Sequence, residues 1–230
     1  MMLQNNTILI TGGSSGIGLE LAKKLSKSNK VIICGRSKEK LEQAKNKLPE
    51  ISIYQCDLSK QGECEGLAAW IKEHYPQCNI LINNAALVNV TQFYSDEKAI
   101  EKADFEMRTN FMAPIILSKL LIPVLERNTN SKLINVTTGL VYAPKAAYPF
   151  YNATKAALHS FTQVLRIQME KVSKLSIVEV MFPAVDTPWH NGNAPKIAIP
   201  VESAVNEMLE KLGNGEIEIK IAKVNLIYKM

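Results

Sequence analysis

Strand-length runs rich in Ile and Val alternate along the whole chain with longer amphipathic stretches, and no other feature constrains the fold as strongly. The runs fall at 7–11, 30–35, 51–56, 79–83, 132–137, 176–182 and 217–222. Helix-like segments are expected at 16–28, 38–48, 61–75, 105–125, 149–172 and 201–212. Strand-helix alternation predicts an α/β fold, with a parallel sheet wound in both directions and helices covering both faces. The strands are apolar throughout rather than alternating, as burial on both faces requires. No repeat or Gly/Ser/Pro linker divides the 230 residues, so residues 1–230 are expected to form one domain.

Ligands of such sheets bind beyond the carboxyl ends of the strands, which makes the residues after each strand informative. After the first run come Thr11, Gly12, Gly13, Ser14, Ser15, Gly16, Ile17 and Gly18. Glycines at a strand-to-helix turn let backbone N–H groups approach a phosphate, and the helix N-terminus adds partial positive charge. The spacing is GxxxGxG rather than GxGxxG, and a plain turn is the alternative. The same residues contain G-x-S-x-G, which would make Ser14 the nucleophile of a hydrolase with His159 or His190 as base. That architecture also needs an oxyanion loop from an earlier strand, and no strand precedes the motif.

The second run ends in Gly35 and Arg36, with no acid before Glu39. An NAD site would place Asp or Glu here to bind the ribose hydroxyls, whereas arginine can clamp a 2'-phosphate. NADP(H) is therefore the preferred cofactor and NAD(H) remains possible. The competing reading is a solvated arginine at a helix start.

Two features of the later segments concern proton transfer. Pro114 cannot donate a hydrogen bond to the carbonyl of Asn110, which frees that oxygen to hold a water. A packing kink is the alternative. Tyr151 and Lys155 stand four residues apart, on one helix face, and an ammonium about 4 Å from a phenol would lower its pKa by roughly three units. Tyr151 is thus a candidate general acid/base.

Taken together, TGGSSGIG, Asn83 to Ala86, Asn110, Thr138, Tyr151 with Lys155, and Pro183 to Thr187 resemble the short-chain dehydrogenase/reductase family over nearly the whole length. The stretches VIICGRSKEKLEQAK and YNATKAALHSF resemble its DltE-like bacterial oxidoreductases. The resemblance implies a Rossmann-type sheet, with Gly12, Gly16 and Gly18 under a pyrophosphate and Ser14, Ser15, Ile17, Asn84 and Val185 along the cofactor. It further implies adenine contacts from Asp57 and Leu58, a central strand steadied by Asn83, and a carboxamide contact from Thr187. Asn110 would hold a relay water, Thr138 would stand in the usual serine position, and Tyr151 would exchange the proton. Lys155 would also bind the nicotinamide ribose.

The chain departs from the family at Ala86 and Ala184, where glycines are usual, and at Thr138, whose β-branched hydroxyl has fewer rotamers than serine. The implied activity is hydride transfer between a nicotinamide and a carbonyl or secondary alcohol. A non-catalytic dinucleotide sensor is the alternative from another class, disfavoured because a sensor has no use for a tuned phenol. Leu140, Val141, Tyr142, Tyr148 and Phe150 suggest a partly apolar pocket, and 187–200, with Trp189 and His190, a mobile lid.

Charge and composition limit the partners. The net charge of +5 is spread without long like-charge blocks, so no nucleic-acid partner is expected. The apolar stretch 112–125 is interrupted by Pro114, Ser118, Lys119 and Pro123, and no membrane span is expected. The first residues show no secretion signal, which leads to an expectation of cytoplasmic residence. Cys34, Cys56, Cys64 and Cys78 lack metal-ligand spacing and read as reduced, small apolar residues, so no metal site is expected. Relatives commonly pair through the helices corresponding to 105–125 and 149–172, which predicts a homodimer or homotetramer.

Overall fold

A computed structural model describes residues 3–190 and 192–225. The strands are β1 (Thr7–Thr11), β2 (Lys30–Gly35), β3 (Ser52–Gln55), β4 (Ile80–Asn83), β5 (Lys132–Thr138), β6 (Ser176–Phe182), β7 (Val185–Asp186), β8 (Ile199–Pro200) and β9 (Glu218–Lys220). Helices α1 (Gly16–Leu25), α2 (Lys38–Lys47), α3 (Gln61–His74), α4 (Ala99–Met107), α5 (Ala113–Leu125), α6 (Pro149–Glu170) and α7 (Val201–Gly213) alternate with them. The main sheet has seven parallel strands in the order β3-β2-β1-β4-β5-β6-β9. Its order reverses between β1 and β4, where a crevice opens at the carboxyl ends. This is the doubly wound, Rossmann-type arrangement expected.

Period-two alternation decides which layer each strand residue packs against. Ile8 and Ile10 face Leu21 and Leu25 of α1 and Val205 and Met208 of α7. Leu9 between them faces the opposite layer, with Leu67 and Ile71 of α3 and Leu117 and Leu121 of α5. Burial of each such side chain contributes roughly 1.5–3 kcal/mol. All four cysteines are buried and free, as small core residues.

Three local differences from the sequence expectation matter. The helix expected at 105–125 begins at Ala99, and Arg108–Met112 form a π turn in which the Ala113 N–H reaches back to the Arg108 carbonyl. Pro114 offers no N–H at that point, so the helix widens around Asn110 instead of kinking. The combined run Ala99–Leu125 contains an 18-residue window of mean hydropathy 1.3 and is long and apolar enough to cross a membrane, but it packs here as a layer against the sheet and α3. Finally, β7 pairs with β8 through Val185 and Ile199, closing the base of the segment expected as a lid. Asn191 of that segment lies outside the described residues.

Candidate active site

The turn after β1 is held by side chains rather than by chance packing. Gly12 has φ +66°, and a Cβ there would lie 2.9 Å from Cα of Ala85. A Cβ on Gly18 would lie 2.3 Å from the Gly12 carbonyl oxygen. The Thr11 hydroxyl accepts from the N–H groups of Asn84 and Ala85, both at 3.0 Å, and the Asn84 amide donates to the Thr11 carbonyl at 2.9 Å. Asn84 therefore ties the β4 loop to the glycine turn as well as lining the cleft. Ser15 is the N-cap of α1 but makes no side-chain capping bond, and the first turn contains no acid. The opening N–H groups of α1, at Gly16, Ile17 and Gly18, are left for an anion in the cleft.

Beyond β2, Gly35, Arg36, Ser37 and Lys40 line the same cleft, with Ser14 across from them. A Cβ on Gly35 would stand 3.2 Å from Oγ of Ser14. Ser37 caps α2 by accepting from the Lys40 N–H at 3.2 Å, which leaves Arg36 and Lys40 as two cations at one end of the cleft. Lys40 was not anticipated from the sequence, although a second cation four residues past Arg36 is a usable signal. Asp57 and Leu58 follow β3, where the Asp57 carboxylate accepts from the Ser59 N–H at 3.1 Å and hydroxyl at 2.8 Å. Asn83 donates to Asn135 at 2.9 Å and Asn135 to Thr162 at 2.9 Å, a buried chain joining β4, β5 and α6.

Thr138 ends β5, and Tyr151 and Lys155 project from α6 onto the same wall. The Thr138 hydroxyl donates to the Phe182 carbonyl at 3.2 Å and accepts from the Leu140 N–H at 3.3 Å. Burial pushes the Tyr151 phenol up to about 12, opposed by the adjoining Thr138 hydroxyl and assisted by the negative charge of Glu106. The Lys155 ammonium, 2% exposed, donates to the Val136 carbonyl at 2.7 Å and lies 5.9 Å from the Tyr151 ring centre. An ammonium so placed favours the phenolate by Coulombic attraction. Burial offsets that pull, so Tyr151 stays a neutral phenol at pH 7, contrary to the expectation of a phenol titrating near neutrality. Lys155 is itself drawn down to about 8 by burial, against the field of Glu179.

Asn110 is fully buried in the π turn. Its side chain accepts from the Leu87 N–H at 2.7 Å and donates to the Leu87 carbonyl at 2.8 Å and to Thr154 at 3.2 Å. It thus fastens the loop after β4 to the turn preceding α5. Ser14 sits against Gly35, while His159 is bound to Glu179 and His190 packs edge-on against Trp189 with ring centres 4.7 Å apart. The pairing of nucleophile and base needed for the hydrolase reading is therefore not formed. His159 is half-buried against the Glu179 carboxylate, and the lone acid of the apolar strand β6 is the sequence signal for that contact.

These walls enclose a cleft of about 750 Å³. Val185 and Thr187 border it on the far side, where Thr187 approaches Gly16, and Leu140, Tyr148, Trp189 and Ile197 make its outer end apolar. Trp189 packs edge-on against Tyr148 at 5.8 Å and donates to the Val88 carbonyl at 3.4 Å, which brings this part of the 187–200 segment against that end.

A short chain dehydrogenase family profile matches residues 6–197. The chain is 41% identical over 230 residues to the uncharacterized oxidoreductase DltE of Bacillus subtilis, covering 97% of this chain and 91% of that one. It is 31% identical over 198 residues to a fatty acyl-CoA reductase of Acinetobacter baylyi, covering 81% of this chain and 64% of the other. Among solved structures, a short chain dehydrogenase of Burkholderia cenocepacia in complex with NADP superposes with a TM-score of 0.86 at 24% identity, over 100% of this chain and 93% of that one. A Burkholderia phymatum relative in complex with NAD gives 0.87 at 16% identity, over 99% and 92%.

Proposed function

Because the chain belongs to the short-chain dehydrogenase/reductase family, with DltE-like oxidoreductases among its relatives, we propose that it is an NADP(H)-dependent reductase of ketones or aldehydes. The observation that carries this reading is the convergence of Thr138, Tyr151 and Lys155 on the wall of the cleft whose other end holds the glycine turn, Arg36 and Lys40. The donor set fits the cofactor: uncapped helix N–H groups for a pyrophosphate, two cations and the Ser14 and Ser37 hydroxyls for a 2'-phosphate. When bound, the dinucleotide supplies the hydride to a carbonyl carbon or accepts it from the alcohol.

The chain's own residues do the rest. Tyr151, neutral at pH 7, donates its proton to the substrate oxygen, and the Lys155 ammonium stabilises the phenolate left behind. The Thr138 hydroxyl adjoins that phenol and orients it. Asn110 holds Leu87 and Thr154 in register, with its main-chain carbonyl lacking the bond that Pro114 cannot give, and is read as the seat of a relay water. Leu140, Tyr148, Trp189 and Ile197 exclude water from the outer end and favour apolar carbonyl compounds. Phe105, Met107, Met112, Val164 and Ile167 are exposed along α4 to α6, which supports self-association through these helices.

The test is NADPH oxidation, followed optically, against cyclohexanone, acetophenone, benzil and benzaldehyde. Turnover of at least one carbonyl is expected. Tight NADPH binding with no turnover of any of them, or of a wider ketone and quinone panel, would favour the sensor reading.

A further inference from the structure

Helix α6 is fastened to the sheet by a polar contact at nearly every turn of its buried face. Lys155 donates to the Val136 carbonyl at 2.7 Å, His159 meets Glu179 at 2.8 Å, Thr162 accepts from Asn135 at 2.9 Å, and Arg166 donates to the Ile177 carbonyl at 3.0 Å. Glu179 stands out in this series. It is a fully buried carboxylate on β6, accepting from the Thr137 hydroxyl at 2.5 Å as well as from His159. A glutamine could accept the same hydrogen bonds without the cost of burying a charge, so the acid is explained by its charge, which acts on His159 and on a second group.

The second group lies one turn away. Lys155 is buried with a neutral carbonyl as its hydrogen-bond acceptor, and a buried ammonium needs a counter-charge to stay protonated. Thr137, which donates to Glu179, directly follows Val136, which accepts from Lys155, so two successive residues of β5 hold the carboxylate and the ammonium. We propose that Glu179 is a positioning residue of the reductase site, acting through Lys155: its charge keeps that side chain protonated, while His159 sets how much of the charge is felt. The assignment rests on the role given to Lys155 in the proposed function. The other ionisable groups on this side are Glu218 and Lys220 of β9, which pair with each other and act on His159, and Arg166, whose Nη1 is 3.9 Å from Glu218. The Tyr142 ring covers His159 edge-on at 5.7 Å.

The experiment is a pH titration of the Lys155 ε-methylene signal by carbon-13 NMR, assigned with Lys155→Arg, in the wild-type protein and in Glu179→Gln. The midpoint is expected to fall by about one pH unit in the Gln variant. It should return in Glu179→Asp, and the alkaline limb of kcat should move with it. An unchanged midpoint in a folded Gln variant overturns the proposal, whatever happens to Tm. Should that variant not fold, His159→Gln gives the converse test. A variant that changes the shielding of the carboxylate by its ring partner should shift the Lys155 midpoint, whereas a midpoint unchanged in both the His159→Gln and His159→Leu proteins overturns the proposal. The titration needs no substrate, so a wild-type protein that reduces no carbonyl would defeat the proposed function and leave the midpoint to decide the role of Glu179.

Discussion

The Lys155 ammonium donates to the Val136 carbonyl at 2.7 Å, so the charge proposed to assist Tyr151 is held by a backbone oxygen of the neighbouring strand. Lys155 is lowered from 10.5 to about 8, chiefly by burial. Reductive turnover should therefore decline as pH rises through about 8, where the ammonium is lost and the phenol becomes a weaker acid. Unfolding would not explain that decline. A lysine whose folded pKa lies below its unfolded one costs stability at lower pH, and the cost is relieved as pH rises from about 8 towards 10.5. A pH–kcat profile measured beside a pH–Tm profile checks this, with the two expected to diverge above pH 8.

Thr138 gives a test by shape and by chemistry. Thr138→Val keeps the branched outline but removes both the bond to the Phe182 carbonyl and the acceptor for the Leu140 N–H, and kcat should fall by about tenfold or more. Thr138→Ser should stay within a few-fold of wild type or exceed it. Equal kcat for the Val variant would show that the hydroxyl plays no part.

Cofactor choice should follow the two cations after β2. NADPH is expected to bind about tenfold to a hundredfold more tightly than NADH, with Arg36→Ala and Lys40→Ala each removing part of the difference. Gly35→Asp with Arg36→Ala should reverse it, since the new Cβ meets only Oγ of Ser14 at 3.2 Å and other atoms at 3.7 Å or more. Calorimetric Kd values for both cofactors decide the matter, and similar values in the wild type would return Arg36 to the role of a solvated residue.

Gly18 and Gly62 form a matched pair for the glycine turn. Gly18→Ala would drive a Cβ to 2.3 Å from the Gly12 carbonyl, so NADPH affinity should drop at least tenfold with a stability loss of roughly 1–3 kcal/mol. Gly62→Ala, in α3 with nothing within 4 Å, should stabilise by about 0.5–1 kcal/mol and leave binding alone. Thermal melts with and without NADPH separate the two effects.

Much of this site could be read from the chain because its signals are local. The bounds of β1, β2 and β6 follow from continuous Ile and Val runs, and the Gly12–Gly18 turn and the four-residue step from Tyr151 to Lys155 depend on neighbours in sequence. What could not be read depends on distant partners. The Lys155 acceptor comes from β5, the Asn110 side chain is claimed by Leu87, and His159 meets an acid on β6. Burial likewise exists only once the layers are assembled, which is why the phenol stays neutral where spacing alone suggested otherwise. The pairing of β7 with β8 rests on two residues from each strand, too short for any periodicity to announce it.

The role of Tyr151 is tested most directly by Tyr151→Phe, measured as NADPH oxidation with the best carbonyl of the panel together with NADPH affinity by fluorescence. Removing one hydroxyl deletes the proton donor and leaves the ring packing and the phosphate cradle in place, so kcat should fall by about a hundredfold or more with Kd for NADPH within about twofold of wild type. A Phe variant that keeps more than about a tenth of wild-type kcat, with cofactor binding intact, would contradict the assignment of Tyr151 as the residue that moves the proton.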